Sequence, residues 1–158
     1  MLRLSKLTDY GIVVGACLAR SAPELLSASE VAARTGIAAP TVSKLLKGLG
    51  RSGLVVSERG AKGGYRLSRD AGDISIADVV DALEGPVALT ECISAAGHCE
   101  QESHCDARAN FELINAAILD ALERVSVAEM VQGPPRQYVD LDVTGTVSRR
   151  AGSMNESA

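Results

Sequence analysis

Two short helix patterns, joined by a turn that contains glycine and followed by a glycine-rich hairpin pattern, constrain this sequence most. Ser27 and Glu30 fit a capping box that opens the first of these helices, and Gly36 stands where a helix ends. Pro40 suits the first turn of the next helix, whose pattern continues to about Arg51. Because helix, turn, helix and hairpin follow in this order, the sequence predicts a winged helix-turn-helix.

The hairpin pattern supplies the wing. The segments 54–58 and 65–67 are typical of β-strands, and the glycine-rich stretch 59–64 between them predicts a turn. The remaining elements are expected to be helices. The fold class that follows is mainly α with a small β-hairpin.

Further helical patterns flank the winged unit. Thr8 or Asp9 can cap a first helix that runs to about residue 20, and another helix near 76–84 is closed by Gly85. The longest helical pattern covers residues 106–125. Its apolar stripe contains Phe111, Ile114, Ile118 and Leu122, with Leu119 beside it. A capping box at Ser126 and Glu129 predicts a short helix directly after it.

Charge divides the chain into two halves. Residues 1–70 carry eleven Lys and Arg against five Asp and Glu, a net charge of +6, whereas residues 71–158 carry a net charge of −10. A basic half of this kind indicates a polyanionic partner. The longest apolar run is far shorter than the roughly 20 residues that cross a membrane, and the N-terminus lacks a signal-peptide pattern. We therefore expect a cytoplasmic protein without a membrane partner.

The second helix of the predicted motif has a polar face that suits DNA. In such motifs this helix enters the major groove and its first residues meet base edges, while lysines neutralise phosphates. At the tip of the hairpin, glycines allow a close backbone approach and an arginine can enter the minor groove. The candidate DNA-binding residues are Pro40, Thr41, Ser43, Lys44 and Lys47 on the helix, and Arg59, Lys62, Gly63, Gly64 and Tyr65 on the hairpin.

Three cysteines lie in one segment that contains few apolar residues. Six residues separate Cys92 from Cys99, and five separate Cys99 from Cys105. Soft thiolates select iron–sulfur clusters or zinc, and both take four ligands in a closed site. The spacing lacks the close cysteine pair of zinc fingers, and a reversible thiol switch is a further alternative. The fourth ligand is open among an acid of the segment, His98, His104, Asp9 and Cys17, of which Cys17 is best explained by core packing.

Several of these motifs together resemble the Rrf2 family of winged-helix regulators. They are the segment Leu4–Gly11, the helix-turn-helix, the hairpin Arg59–Leu67, the helix Ile76–Val80 and the three-cysteine segment. The resemblance covers about residues 1–131. The first ten residues and the end of the long helix at 122–130 are most similar to the regulators of SUF iron–sulfur assembly.

The resemblance implies a homodimer whose long helices cross between subunits, and a pseudo-palindromic promoter as the double-stranded DNA partner. It also implies an iron–sulfur cluster, 2Fe–2S or 4Fe–4S, held by the three cysteines. In the IscR branch a histidine three residues after the last cysteine completes the ligand set, and here that position is Arg108. In the NsrR branch the aspartate of a Thr-Asp-Tyr-Gly motif ligates the cluster of the partner subunit. Asp9 stands in that motif, so it is favoured as the fourth ligand, with His104 and His98 as alternatives.

These expectations divide the chain into four segments and give it one function. We expect an iron–sulfur-responsive transcription regulator, a repressor that controls SUF iron–sulfur cluster assembly genes. The alternatives are a nitric-oxide-sensing or redox-sensing repressor and a zinc-stabilised DNA-binding module. No catalytic triad, phosphate loop or dinucleotide motif is present in the sequence, so neither an enzyme nor a small-molecule substrate is expected. The segments are the winged domain 1–85, the cysteine-rich cluster-binding loop 86–106, the dimerisation helix with a short terminal helix 106–131, and a tail 132–158 that is expected to be disordered.

Overall fold

The computed structural model describes residues 4–60, 62–94, 99 and 104–132 of the chain. Its elements confirm the predicted fold class, because helices dominate and the two strands form one antiparallel hairpin. The 3₁₀ turn Ala71–Asp73 was not predicted. In chain order the helices and strands are α1 (Lys6–Ser21), α2 (Ala28–Thr35), α3 (Ala39–Arg51), β1 (Val55–Glu58), β2 (Gly64–Leu67), α4 (Ile76–Glu84), α5 (Glu91–Ser94), α6 (Arg108–Glu123) and α7 (Val127–Gln132).

The first helix begins earlier than its sequence pattern indicates. Ser5 is the N-cap, and its hydroxyl accepts a hydrogen bond from the Thr8 amide at 3.2 Å. The prediction that Thr8 or Asp9 caps this helix is therefore wrong. Thr8 lies inside the first turn with its side chain fully buried, and its hydroxyl donates to a carboxylate oxygen of Glu84. Local capping rules miss this contact, because Glu84 is distant from Thr8 in the sequence.

The helix-turn-helix follows its local signals closely. Ser27 and Glu30 form the complete capping box of α2, and Gly36 ends that helix with a φ of 71°. Pro40 lies in the first turn of α3. The backbone at residue 36 has a left-handed conformation, which carries the chain from α2 into α3. Glycine adopts this conformation without the steric cost that a side chain would bring.

The wing is fixed to the rest of the domain by backbone pairing. β1 and β2 pair antiparallel, with Val55 opposite Leu67. Beyond this pair, the Tyr65 amide donates to the Leu26 carbonyl at 2.7 Å, and the Leu26 amide donates back to the Tyr65 carbonyl at 3.0 Å. A Cβ on Gly64 would lie 2.7 Å from backbone atoms of Leu26. The wing can therefore approach the α1–α2 connection this closely only because residue 64 has no side chain.

An aliphatic core joins the elements of the winged domain. It takes apolar side chains from α1 to α4 and from β1, and it includes Val127 of the terminal helix, which is 1% exposed. The Val127 amide also donates to the Ile74 carbonyl at 2.8 Å. The short helix α7, which the sequence grouped with the long helix, thus packs against α1 in the winged domain. With one phenylalanine and no tryptophan in the chain, aliphatic side chains carry this core.

The cysteine-rich segment and the long helix differ in detail from their predicted forms. Within residues 86–106, which we predicted as a loop, Glu91–Ser94 form the short helix α5. Its formation accompanies the burial of Cys92, a residue that packs as a small apolar side chain. The long helix α6 occupies the centre of the predicted range 106–125 and packs against α4 and α5. The predicted disordered tail lies outside the described residues from position 133 on.

In the part of the chain that the structure describes, no helix is both long enough and apolar enough to cross a membrane.

Candidate DNA-binding surface and cysteine segment

The exposed face of α3 carries the residues that the sequence assigned to DNA. Pro40, Ser43, Lys44 and Lys47 are exposed, and Thr41 is half-buried. The opposite face is closed, because its side chains are all less than 2% exposed and belong to the core. The amphipathic helix therefore presents its polar residues outward. The buried residues of α3 are Val42, Leu45, Leu46 and Leu49.

The tip of the wing places two cations beside a tight glycine turn. Arg59 and Lys62 are both exposed there. The Gly63 amide donates to the Gly60 carbonyl at 2.9 Å, and a Cβ on Gly63 would collide with the Glu58 carbonyl oxygen. Glycine at position 63 is thus required by the turn itself. Gly64 is buried against Leu26, and Tyr65 is half-buried on the neighbouring strand.

An open groove of about 640 Å³ separates the wing from α3, the second helix of the helix-turn-helix and thus its recognition helix. Ser43 and Lys47 line it from α3, and Tyr65 lines it from β2, so the fold brings three of the predicted residues together. Arg51 and Ser57 line the same groove, although no motif of the sequence predicted a DNA contact for either. A signal for Arg51 existed, because it follows Lys47 by four residues on the same helix face.

A second cleft, of about 390 Å³, lies on the other side of the same cations. Lys44, Lys47 and Arg51 face it from α3. Leu7 of α1 and Leu83 of α4 form part of its apolar wall. The three cations occupy positions i, i+3 and i+7, so they form one stripe along the helix. This stripe is the basic surface that the charge distribution of the sequence indicated.

The four cysteines are free thiols in different surroundings. Cys92 in α5 is 8% exposed, and its Sγ lies 3.2 Å from the Thr90 hydroxyl oxygen. Cys99 and Cys105 are each half-exposed. Cys17 lies in the core on the buried face of α1, where desolvation raises the pKa of its thiol although Arg34 and Arg20 oppose the shift. A buried, protonated thiol supports the interpretation of Cys17 as a packing residue.

The described residues do not assemble a metal site. Among residues 4–60, 62–94, 99 and 104–132, no three His, Cys, Asp or Glu side chains lie together in a group that could hold a metal ion. Asp9 is exposed in the first turn of α1, and His104 is exposed before Cys105. His98 lies outside the described residues. What fits an iron–sulfur cluster is the chemistry of the donor set, three unpaired thiols within one segment.

The sequence of this chain matches a known protein family. The model of the Rrf2 family, described as "Iron-dependent Transcriptional regulator", matches residues 4–133. The chain belongs to the Rrf2 family. Membership implies DNA binding, and it agrees with the winged domain and the basic stripe on α3. The resemblance inferred from the sequence motifs is thereby confirmed at the level of the family.

Individual Rrf2 relatives support the same assignment. The HTH-type transcriptional regulator IscR of Vibrio campbellii is 30% identical over 128 residues, covering 77% of this chain and 76% of the relative. Among solved structures, IscR of T. potens matches with a TM-score of 0.65 and 28% identity over 83% of this chain and 87% of that one. CymR (YrzC), titled the global cysteine regulator of B. subtilis, matches with a TM-score of 0.67 and 25% identity over 84% and 98%. This chain is therefore an IscR-like transcriptional regulator, and its relatives are regulators rather than enzymes.

Proposed function

We propose that this Rrf2 regulator binds promoter DNA as a homodimer and carries an iron–sulfur cluster on its cysteine segment. The observation that carries the proposal is the position of three free thiols between the winged domain and α6. The genes under its control are proposed to be those of SUF iron–sulfur assembly, because the two ends of the family match resemble the regulators of that system. Feedback of this kind would adjust transcription when clusters are scarce.

The DNA side of the proposal rests on α3 and the wing. The exposed face of α3 would enter the major groove, where Thr41 and Ser43 can donate hydrogen bonds and Lys44 and Lys47 can neutralise phosphates. Arg59 at the tip of the wing would reach the adjacent minor groove. The groove between α3 and the wing adds two contacts to the sequence-based set, Arg51 and Ser57. The full set is Pro40, Thr41, Ser43, Lys44, Lys47, Arg51, Ser57, Arg59, Lys62, Gly63, Gly64 and Tyr65.

The cofactor side rests on the donor set. Cys92, Cys99 and Cys105 would hold the cluster, and a 2Fe–2S or 4Fe–4S centre would supply a group whose presence depends on iron and sulfide. Asp9 of the partner subunit is the proposed fourth ligand, because its exposed position on α1 leaves the carboxylate open to a second chain. His104 is the alternative within the segment.

Dimerisation is proposed to use the exposed apolar side chains of α6. Phe111 and Ile114 are exposed, and Leu113 is 71% exposed. Several large apolar side chains exposed on one helix are typical of a protein–protein contact. Two recognition helices must then enter major grooves about one DNA turn apart, so a small rotation between subunits weakens DNA binding. A coupling of about 1–3 kcal/mol between the cysteine segment and the winged domains would change affinity about 5- to 150-fold.

The cofactor proposal is tested by purifying the protein without oxygen and measuring iron, acid-labile sulfide and zinc. We expect iron and sulfide together, with a visible absorption spectrum whose band shape separates the two cluster types. The triple variant C92A/C99A/C105A should lack both, whereas C17A, which removes the core thiol, should retain them. Zinc without iron would support the zinc-stabilised module instead.

A regulator without a cluster is the second candidate. It is favoured by the match to the cysteine regulator CymR and by the lack of an assembled ligand group among the described residues. In that case the free thiols themselves would sense redox state. The absence of metal after anaerobic reconstitution, with DNA affinity that still responds to thiol oxidation, would favour this candidate. A cluster that is destroyed by nitric oxide more readily than by iron depletion would favour the nitric-oxide-sensing alternative.

A further inference from the structure

The long helix α6 buries a polar residue where an apolar one is expected. Of the side chains of α6, all of which the structure describes, only Asn115 is buried, with 9% of its surface exposed. Phe111, one turn earlier, and Ile114, the preceding residue, are large apolar side chains that are exposed. A buried amide is retained only where its hydrogen-bonding groups have partners, so Asn115 marks a specific contact.

The oxygen and the nitrogen of the Asn115 side-chain amide both form hydrogen bonds with one short stretch of backbone. Its Oδ1 accepts from the Leu89 amide at 3.0 Å, and its Nδ2 donates to the Val87 carbonyl at 3.1 Å. The pairing resembles that of a neighbouring strand, because one donor and one acceptor meet the groups of alternate residues. The segment that connects α4 to α5 is therefore attached to α6 through this side chain.

This attachment lies directly before the first cysteine. Leu89 precedes Cys92 by three residues, and Thr90, between them, places its hydroxyl 3.2 Å from the Cys92 Sγ. The Ile93 amide donates to the Thr90 carbonyl at 3.1 Å, which starts the turn that buries Cys92. The backbone held by Asn115 thus leads into the turn that holds the thiol.

We propose that Asn115 is a positioning residue for the Cys92 thiol: it holds the segment before α5 against α6 and thereby keeps this thiol buried. The inference deepens the proposed sensing function, since it names the residue through which the proposed dimer helix and the first cysteine influence each other. Whether the thiol later holds a cluster or reacts as a redox switch, its exposure would depend on the position of α6.

The test measures alkylation of each cysteine by iodoacetamide in the metal-free, reduced protein, followed by peptide mass spectrometry. N115A removes both hydrogen bonds, and N115D keeps the side-chain volume but replaces the donor to Val87 with an oxygen. We expect the Cys92 alkylation rate to rise about tenfold in each variant, because loss of the two bonds favours local opening. N110A, which changes an exposed asparagine of the same helix, should leave the Cys92 rate at the wild-type value.

Cys17 reports whether the variants are still folded. Its thiol belongs to the core of the winged domain, so it should remain unreactive in every variant that folds. A Cys92 rate in N115D equal to that of the wild type, with Cys17 still protected, would overturn the proposal. Because the experiment uses metal-free protein, failure of the cluster proposal leaves this test intact, and failure of this test leaves the cluster proposal standing.

Discussion

Glu84 connects the start of the described chain with the end of α4. One of its carboxylate oxygens accepts hydrogen bonds from the buried Thr8 hydroxyl and from the Ser5 amide, the latter at 3.1 Å. These donors, Thr8 first and then Ser5, lower the pKa of Glu84 below its usual value. The carboxylate therefore fixes the N-terminal turn of α1, which also carries Asp9.

The substitution E84Q tests this connection through its pH dependence. Because the folded pKa is lowered, the charged carboxylate stabilises the fold above the pKa of the unfolded chain, and this stabilisation is lost as pH falls through the folded pKa. Because Glu84 is exposed and solvent screens its charge, E84Q should lower the free energy of unfolding by less than about 1 kcal/mol at neutral pH. The deficit should disappear in acid, as measured by denaturant unfolding across the pH range. E24Q, at an exposed acid of the α1–α2 connection, is the matched control, and an equal deficit in both variants would contradict the assignment.

At the scale of elements, the sequence predicted what local chemistry decides. Residues within a few positions of one another determine three of the predicted features. These are the Ser27–Glu30 capping box, the end of α2 at Gly36 and the glycine-rich wing. The burial of the Thr8 hydroxyl and the burial of Cys92 were not predictable in this way. Each depends on residues brought together by the fold, Glu84 for the first and the packing of α5 on α6 for the second.

The same limit applies to the candidate DNA-binding surface. The polar face of α3 followed from its amphipathic pattern, whereas the groove shared with the wing required the folded structure to bring Ser57 beside Arg51. The assignment of Asn115 could not be made from the sequence, because a single asparagine in a helix pattern is ordinarily exposed.

Gly64 tests how closely the wing must pack. In G64A the new Cβ would approach the Leu26 backbone to 2.7 Å, a position that neither backbone can leave without breaking their pairing. We expect a loss of about 1–3 kcal/mol in unfolding free energy, the usual cost of overpacking. The control is G50A in α3, where a Cβ would lie at an ordinary 3.6 Å from its nearest neighbour, the Val55 carbonyl oxygen. If G64A is as stable as G50A in thermal unfolding, the wing is not held by this contact.

Arg51 tests the extended DNA surface. It is exposed at the end of α3 and lines both the groove and the cleft beside the recognition helix. R51A should weaken binding to all DNA sequences and reduce the slope of log affinity against log salt by about one, because one phosphate contact is lost. R124A serves as control, since Arg124 forms an exposed ion pair with Asp120 on α6. An unchanged salt slope in R51A would remove this residue from the surface.

For the whole molecule, the exposed apolar side chains of α6 predict the oligomeric state. L113D places a charge at the most exposed large apolar side chain of the helix and should raise the dimer dissociation constant at least about tenfold. N110D adds the same charge to the same helix at an exposed polar position and should leave the dimer intact. Sedimentation equilibrium distinguishes the two results. A dimer of wild-type strength in L113D would place the interface elsewhere.

The proposed function requires that the state of the cysteine segment controls DNA binding. The most direct measurement is the affinity of one preparation, with cluster and after cluster removal, for a DNA fragment that the protein selects from a random-sequence library. In one anaerobic buffer, fluorescence anisotropy should give affinities that differ at least about fivefold. The triple variant C92A/C99A/C105A should bind like the cluster-free protein under both treatments. Equal affinity of the cluster-bound and cluster-free forms would contradict the account, since the cysteine segment would then have no influence on the winged domain.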